Sequence, residues 1–124
     1  TPEENKALAA EMVQLLNDHD MEGYFGQFTE DSVIHNLHDD MTREEARDMM
    51  IAVQSAWPDH HAEDVQYFAA GDLVLYIYTL VFEDDEVMFG GVNVDRIEDG
   101  QIAEEWWLYD DYTLTVQTTP AEES

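Results

Sequence analysis

From Pro58 onward the chain offers little except strands, and that stretch constrains the fold more than any other feature. Residues 62–70 make a candidate strand, closed by the turn pair Gly71-Asp72. Residues 73–82 (LVLYIYTLVF) are dense in Val, Ile, Tyr and Phe, which fit a pleated, half-buried surface better than a helix. A polar turn at 83–86 leads to a strand at 87–97, in which Gly90-Gly91 is expected as a bulge or bend. Glu98-Asp99-Gly100 is a hairpin signal, and 101–116 supplies the last strand. Consecutive strands joined by such short turns form an antiparallel meander.

Helices precede the meander. Over 5–19 the apolar residues Leu8, Met12, Leu15 and Leu16 recur at helical spacing, and a second short helix is expected over 21–28, loosened by Gly23 and Gly26. Residues 32–36 read as a short strand. Thr42 followed by Glu45 is a capping box, opening a helix that carries Ala46, Met49, Met50 and Val53 on one face until Pro58 stops it. Helices gathered against one face of a curved antiparallel sheet make an α+β domain. The length of 124 residues fits one such domain, with 118–124 as a flexible tail.

Composition excludes several functions. The chain carries 30 acidic and 4 basic side chains, a formal net charge of −26. Cations so few (Lys6, Arg43, Arg47, Arg96) leave nucleic acids and anionic membranes poor partners. The hydrophobic content of 44% separates it from disordered acidic tails. With no cysteine there is no disulfide, thiolate metal site or cysteine nucleophile. Acids dispersed through every segment, with scarce lysine, suit a protein working in concentrated salt. The opening TPEENK has neither a basic start nor an apolar signal segment, so a cytoplasmic location is expected.

The C-terminal hairpin, Val92-Asn93-Val94-Asp95-Arg96-Ile97-Glu98-Asp99-Gly100-Gln101-Ile102-Ala103-Glu104-Glu105-Trp106 followed by Asp110, resembles a pattern of the SnoaL-like group within the nuclear transport factor two-like superfamily. Asp31-Ser32-Val33-Ile34-His35, Trp57-Pro58-Asp59 and Ala70-Gly71-Asp72-Leu73-Val74 add matches in the same order. The resemblance implies a cone-shaped, cystatin-like roll enclosing a pocket, often dimerised through the sheet. Relatives include polyketide cyclases, ester cyclases, isomerases and epoxide hydrolases. Where many of them carry a Thr-Gly-x-His-x-Gly loop, this chain has only residues 83–91.

Asp110 matches the family's acid/base aspartate. A two-residue period places it on one face of the last strand with Ile102, Glu104, Trp106 and Leu108, expected to line the pocket. In an apolar cavity its pKa would rise toward the range useful for proton transfer. His35 matches a family histidine that could pair with Asp110 or bind a carbonyl. Trp57, Tyr78, Asn93, Glu104 and Trp106 are the expected substrate-binding residues, with Tyr76, Tyr78, Leu80 and Phe82 sharing one face of the central strand. One of the adjacent pair Trp106 and Trp107 would pack inward and the other into a dimer interface. The groups His35-His38-Asp39-Asp40 and Asp59-His60-His61 lack metal-ligand spacing, and enolisation by an aspartate needs no cofactor. The expected function is binding of a small apolar carbonyl compound, with cyclase- or isomerase-type proton transfer. A non-catalytic ligand-binding or dimerisation module is the alternative. Epoxide hydrolysis is the third reading and would need Glu104 or Asp95 to face inward.

Overall fold

The computed structural model describes residues 1–83 and 87–110. The expected tail at 118–124, the distal end of the last strand and part of the 83–86 turn lie outside those residues. Helix α1 (Pro2–Asn17) and the short α2 (Met21–Gly26) lead into strand β1 (Phe28–His35). A brief strand β2 (Asp40–Thr42) precedes α3 (Arg43–Ala56). The meander follows: β3 (His61–Ala70), β4 (Leu73–Glu83), β5 (Val87–Glu98) and β6 (Gln101–Tyr109). No helix of the described residues is long and apolar enough to cross a membrane.

Local chemistry accounts for most boundaries. Thr42 caps α3 by accepting from the Glu45 amide, while the Glu45 carboxylate accepts from the Thr42 amide. Thr1 and Glu4 cap α1 in the same way. Between β5 and β6, Asp99 and Gly100 both take positive φ (53° and 79°). That is the backbone a two-residue hairpin turn needs to follow the twist of its strands.

The strands form one curved, unclosed sheet in the order β2-β1-β6-β5-β4-β3. It is not wholly antiparallel, because β1 runs parallel to β6, with Val33 opposite Glu104 and His35 opposite Trp106. The chain leaves α2 beside the start of β6, where the Ile102 amide donates to Gln27 O at 2.9 Å, so both strands set out in the same direction. Gly90-Gly91 is not a bulge: both residues keep unbroken register with Thr79 and Tyr78. Gly91 is required for another reason. A Cβ there would lie 2.7 Å from the ring of Tyr78.

A register shift occurs instead in the β5–β6 hairpin. Ile97 faces Ile102, but Arg96 faces Glu104, which leaves Ala103 as the extra residue. Beyond it the strand's phase reverses. Glu105, Trp107 and Tyr109 turn inward, while Glu104, Trp106, Leu108 and Asp110 turn outward. The expectation of one face from Ile102 through Asp110 is therefore corrected: Ile102 is buried in the core, Leu108 is 48% exposed and Asp110 is exposed.

Candidate active site

The inner face of the sheet and the helices enclose a cavity of about 230 Å³. Val13 and Leu16 of α1 and Met49, Met50 and Val53 of α3 form its apolar side. From the sheet come Tyr76, Tyr78, Leu80 and Phe82 of β4, Asn93 of β5, and Trp107 and Tyr109 of β6. The β4 residues are those that the two-residue period placed together.

A chain of hydrogen bonds leads from this wall into the protein. Tyr78 donates to Asn93 Oδ1 at 2.7 Å, Asn93 Nδ2 donates to Tyr76 Oη at 3.2 Å, and Tyr76 donates to Glu105 Oε2 at 3.2 Å. The second oxygen of Glu105 accepts from Tyr24 Oη at 3.3 Å and from Trp107 Nε1. Two hydroxyls and an indole N–H thus converge on one fully buried carboxyl group. Burial, reinforced by the nearby carboxyl groups Glu105 and Asp95, pushes the Tyr24, Tyr76 and Tyr78 hydroxyls upward, so all three stay neutral.

Opposite Glu105 in the ladder, and equally buried, stands Asp95. Among the described residues neither of its oxygens meets a donor in hydrogen-bond geometry. Burial and then the facing Glu105 raise its pKa well above the usual carboxylate range. The raised pKa of Asp95 favours its protonated form beside the facing carboxyl group. Neither Asp95 nor Glu105 lines the cavity itself; Tyr24, Tyr76, Asn93 and Trp107 stand between.

On the opposite face of the sheet a separate cluster forms. His35 Nε2 meets Glu104 Oε2 at 2.5 Å and His35 Nδ1 meets Asp40 Oδ1 at 2.8 Å. Arg96 Nε donates to the other Glu104 oxygen at 3.2 Å, and the Trp106 ring stacks on His35 with centroids 5.2 Å apart. The hydrogen bond to Glu104 chiefly raises the His35 pKa, and the same bond chiefly lowers that of Glu104. At the far end of the cavity His60 is 1% exposed, and desolvation lowers its pKa to about 4, helped by the neighbouring His19 and His61. Among the described residues, no group of three His, Asp or Glu side chains converges as a metal site.

A sequence profile described as SnoaL-like domain matches residues 9–105. The chain belongs to this family. Solved structures repeat the fold of this SnoaL-like domain. AclR, a candidate hydroxylase from Streptomyces galilaeus, superposes with a TM-score of 0.84 at 24% identity, over 97% of this chain and 100% of its own. IdmH, a candidate polyketide cyclase from Streptomyces antibioticus, gives 0.78 at 24% identity over 91% and 96%. An NTF2-like protein of unknown function from Cytophaga hutchinsonii gives 0.75 at 15% identity over 89% and 93%. At these identities the likeness is one of fold. No curated protein sequence matches the chain.

The SnoaL-like domain sorts the expected residues into two groups. Tyr78 and Asn93 line the cavity, hydrogen-bonded to each other. His35, Glu104 and Trp106 form the outer cluster, and Asp110 is exposed just past β6, its amide donating to Gly90 O at 3.2 Å. Asp110 and His35 therefore do not meet across the cavity. Trp57 packs on Phe82 at 5.7 Å, behind the wall rather than in it. Of the adjacent tryptophans, Trp107 goes inward and Trp106 outward. Sequence reasoning missed Glu105, Tyr24 and the contribution of His60, and it named Asp95 only as a conditional second carboxylate. An available signal was the hairpin itself, since Asp95 and Glu105 lie almost symmetrically about Asp99-Gly100.

Proposed function

We propose that this SnoaL-like domain binds a compact, mainly apolar carbonyl compound and moves a proton at the carbon beside the carbonyl, as a cofactor-independent cyclase or isomerase does. The observation that carries this reading is the unbroken hydrogen-bond chain from Tyr78 through Asn93 and Tyr76 to buried Glu105. A proton leaving the ligand passes to the Tyr76 oxygen as the Tyr76 hydroxyl proton passes to Glu105 Oε2. The carboxylate is thus the base at one remove, and the reverse steps return the proton to another carbon. The second amide hydrogen of Asn93 is the donor for the developing enolate oxygen, in a site with little water to compete. Asp110 and His35 have no part in this reading, because they lie outside the cavity wall.

The test is proton exchange at the α-carbon of a cyclic ketone in heavy water, followed by NMR. Wild type should accelerate exchange, while Glu105→Gln and Tyr76→Phe should lose on the order of a hundredfold while still binding the ketone. Binding without accelerated exchange in the wild type would replace this reading with a non-catalytic ligand carrier. One observation favours that alternative: both buried carboxyl groups sit behind the wall and not in it. An epoxide hydrolase would need two carboxylates on the cavity, whereas Glu104 is on the outer face and Asp95 is sealed below the wall. We also propose a homodimer through the outer face of the sheet, where Phe68, Leu73, Ile77 and Leu108 are exposed. Sedimentation in molar salt should show a dimer that Leu108→Lys weakens.

A further inference from the structure

The geometry points to a second polar end of the cavity, at His60. We propose that the His60 Nε2–H donates to a second carbonyl oxygen of the ligand, remote from the one that Asn93 meets, so that the ligand is an elongated, mainly apolar molecule with a ketone- or quinone-type oxygen at this end. The inference rests on the cavity-binding reading above and adds the ligand's orientation and one recognition group.

The hydrogen bonds around His60 fix which ring nitrogen carries the proton. Gln54 Nε2 lies 3.1 Å from Leu16 O and 3.3 Å from His60 Nδ1. A backbone carbonyl can only accept, so the atom facing it is the amide nitrogen and not the amide oxygen. That nitrogen gives one hydrogen to Leu16 O and the other to Nδ1, which must therefore be bare. The neutral ring then holds its single proton on Nε2. Protonating Nδ1 as well would set an N–H against the amide hydrogen, and burial among His19 and His61 opposes the charge.

Among the described residues the Nε2–H has no acceptor. Buried donors left unmatched are rare, because each forfeits its hydrogen bond to water. This one belongs to a residue that forms part of the cavity wall. The backbone on either side is pinned: the His60 amide donates to Trp57 O at 2.9 Å, and the His60 carbonyl meets His19 Nε2 at 2.6 Å. Phe82 stands edge-to-face on the imidazole, centroids 5.0 Å apart, and is only partly buried. Nε2 is covered, so a ligand oxygen reaches it only if a neighbouring wall side chain gives way, and Phe82, packed on the imidazole, is a wall aromatic that touches that ring. Phe82 is four residues from Tyr78 on β4, about 13 Å along a strand. The stretch of wall from Tyr78 to Phe82 is thus long enough to lie along a bicyclic apolar body.

The experiment compares 1-tetralone with tetralin, which lacks only the carbonyl oxygen, by calorimetry on wild type, His60→Phe and Tyr78→Phe. Wild type should prefer tetralone about fivefold, the factor one neutral hydrogen bond gives. His60→Phe should abolish the preference, and Tyr78→Phe should retain it. In long-range proton–nitrogen NMR spectra of the wild type, His60 should show the Nε2–H tautomer, and its Nε2 signal should move with tetralone and not with tetralin. Equal binding of both probes, a preference surviving His60→Phe, or one lost in Tyr78→Phe overturns the inference and leaves the cavity reading intact. If neither probe binds, the cavity reading fails and this inference with it. Should His60→Phe not fold, the wild-type spectrum decides, and an Nε2 signal unmoved by tetralone overturns the inference.

Discussion

His60 makes a sharp prediction about acid stability. Its pKa is lowered from 6.5 to about 4 in the folded protein, first because burial penalises the cation and then because His19 and His61 repel it. When a folded-state pKa is depressed in this way, the unfolded chain binds the proton first, so stability drains away as pH falls from 6.5 toward 4. A shift of about 2.5 units corresponds to about 3 kcal/mol in full, of which about 2 kcal/mol should be lost between pH 7 and pH 4.5. That is a large fraction of the 5–15 kcal/mol typical of a domain. The perturbation is His60→Leu, which removes the titrating group. The assay is urea denaturation at both pH values, in molar KCl to screen the acidic surface, followed by tryptophan fluorescence. Carboxylate protonation contributes to both proteins and cancels in the difference. Between pH 7 and 4.5 the wild type should lose about 2 kcal/mol more than the variant, even though His60→Leu is the less stable protein at pH 7 because the Gln54 amide loses its acceptor. Equal losses in the two proteins would refute the assignment of His60 as a sealed, neutral imidazole.

Three further outcomes follow from other features. Asp95→Asn should flatten the opposite arm of the profile: the raised pKa of Asp95 costs stability as pH rises above the unfolded-state value of 3.8, so denaturation at pH 8 should find the variant more stable relative to wild type than it is at pH 4. Gly91→Ala drives a methyl group into the Tyr78 ring; it should cost about 1–3 kcal/mol by denaturation and weaken ketone binding by displacing the Tyr78–Asn93 pair. The net charge of −26 should make the melting temperature rise from dilute buffer to molar KCl, and a flat or falling response would remove the argument for a salt-adapted surface.

The three helices, the strand before α3 and the four strands of the meander were legible in order from the sequence, whereas the short β2 (Asp40–Thr42) was not. Capping residues Thr42 and Glu45, the Asp99-Gly100 turn and the apolar run over 73–82 are local signals, each read by backbone chemistry within a few residues. Strict alternation also placed Tyr76, Tyr78, Leu80 and Phe82 on one inward face, because the β4–β5 ladder is unbroken up to Val81 and the shift opposite Tyr78 puts its extra residue in β3. Only the tertiary structure decided which face of β6 looks inward. Counting outward from the hairpin turn, Asp95 would face Glu104; the extra residue Ala103 slides the ladder by one, so Asp95 meets Glu105 and Glu104 meets Arg96. One residue of slippage inverts every side chain beyond it, since the period of a strand is two. Asp110 and Trp106 go to the outer face for that reason, and Glu105 and Trp107 go to the cavity side. The parallel pairing of β1 with β6 and the meeting of Gln54, Leu16 and His60 are likewise contacts between distant segments. Their energies depend on what the fold brings together, which composition and periodicity do not encode.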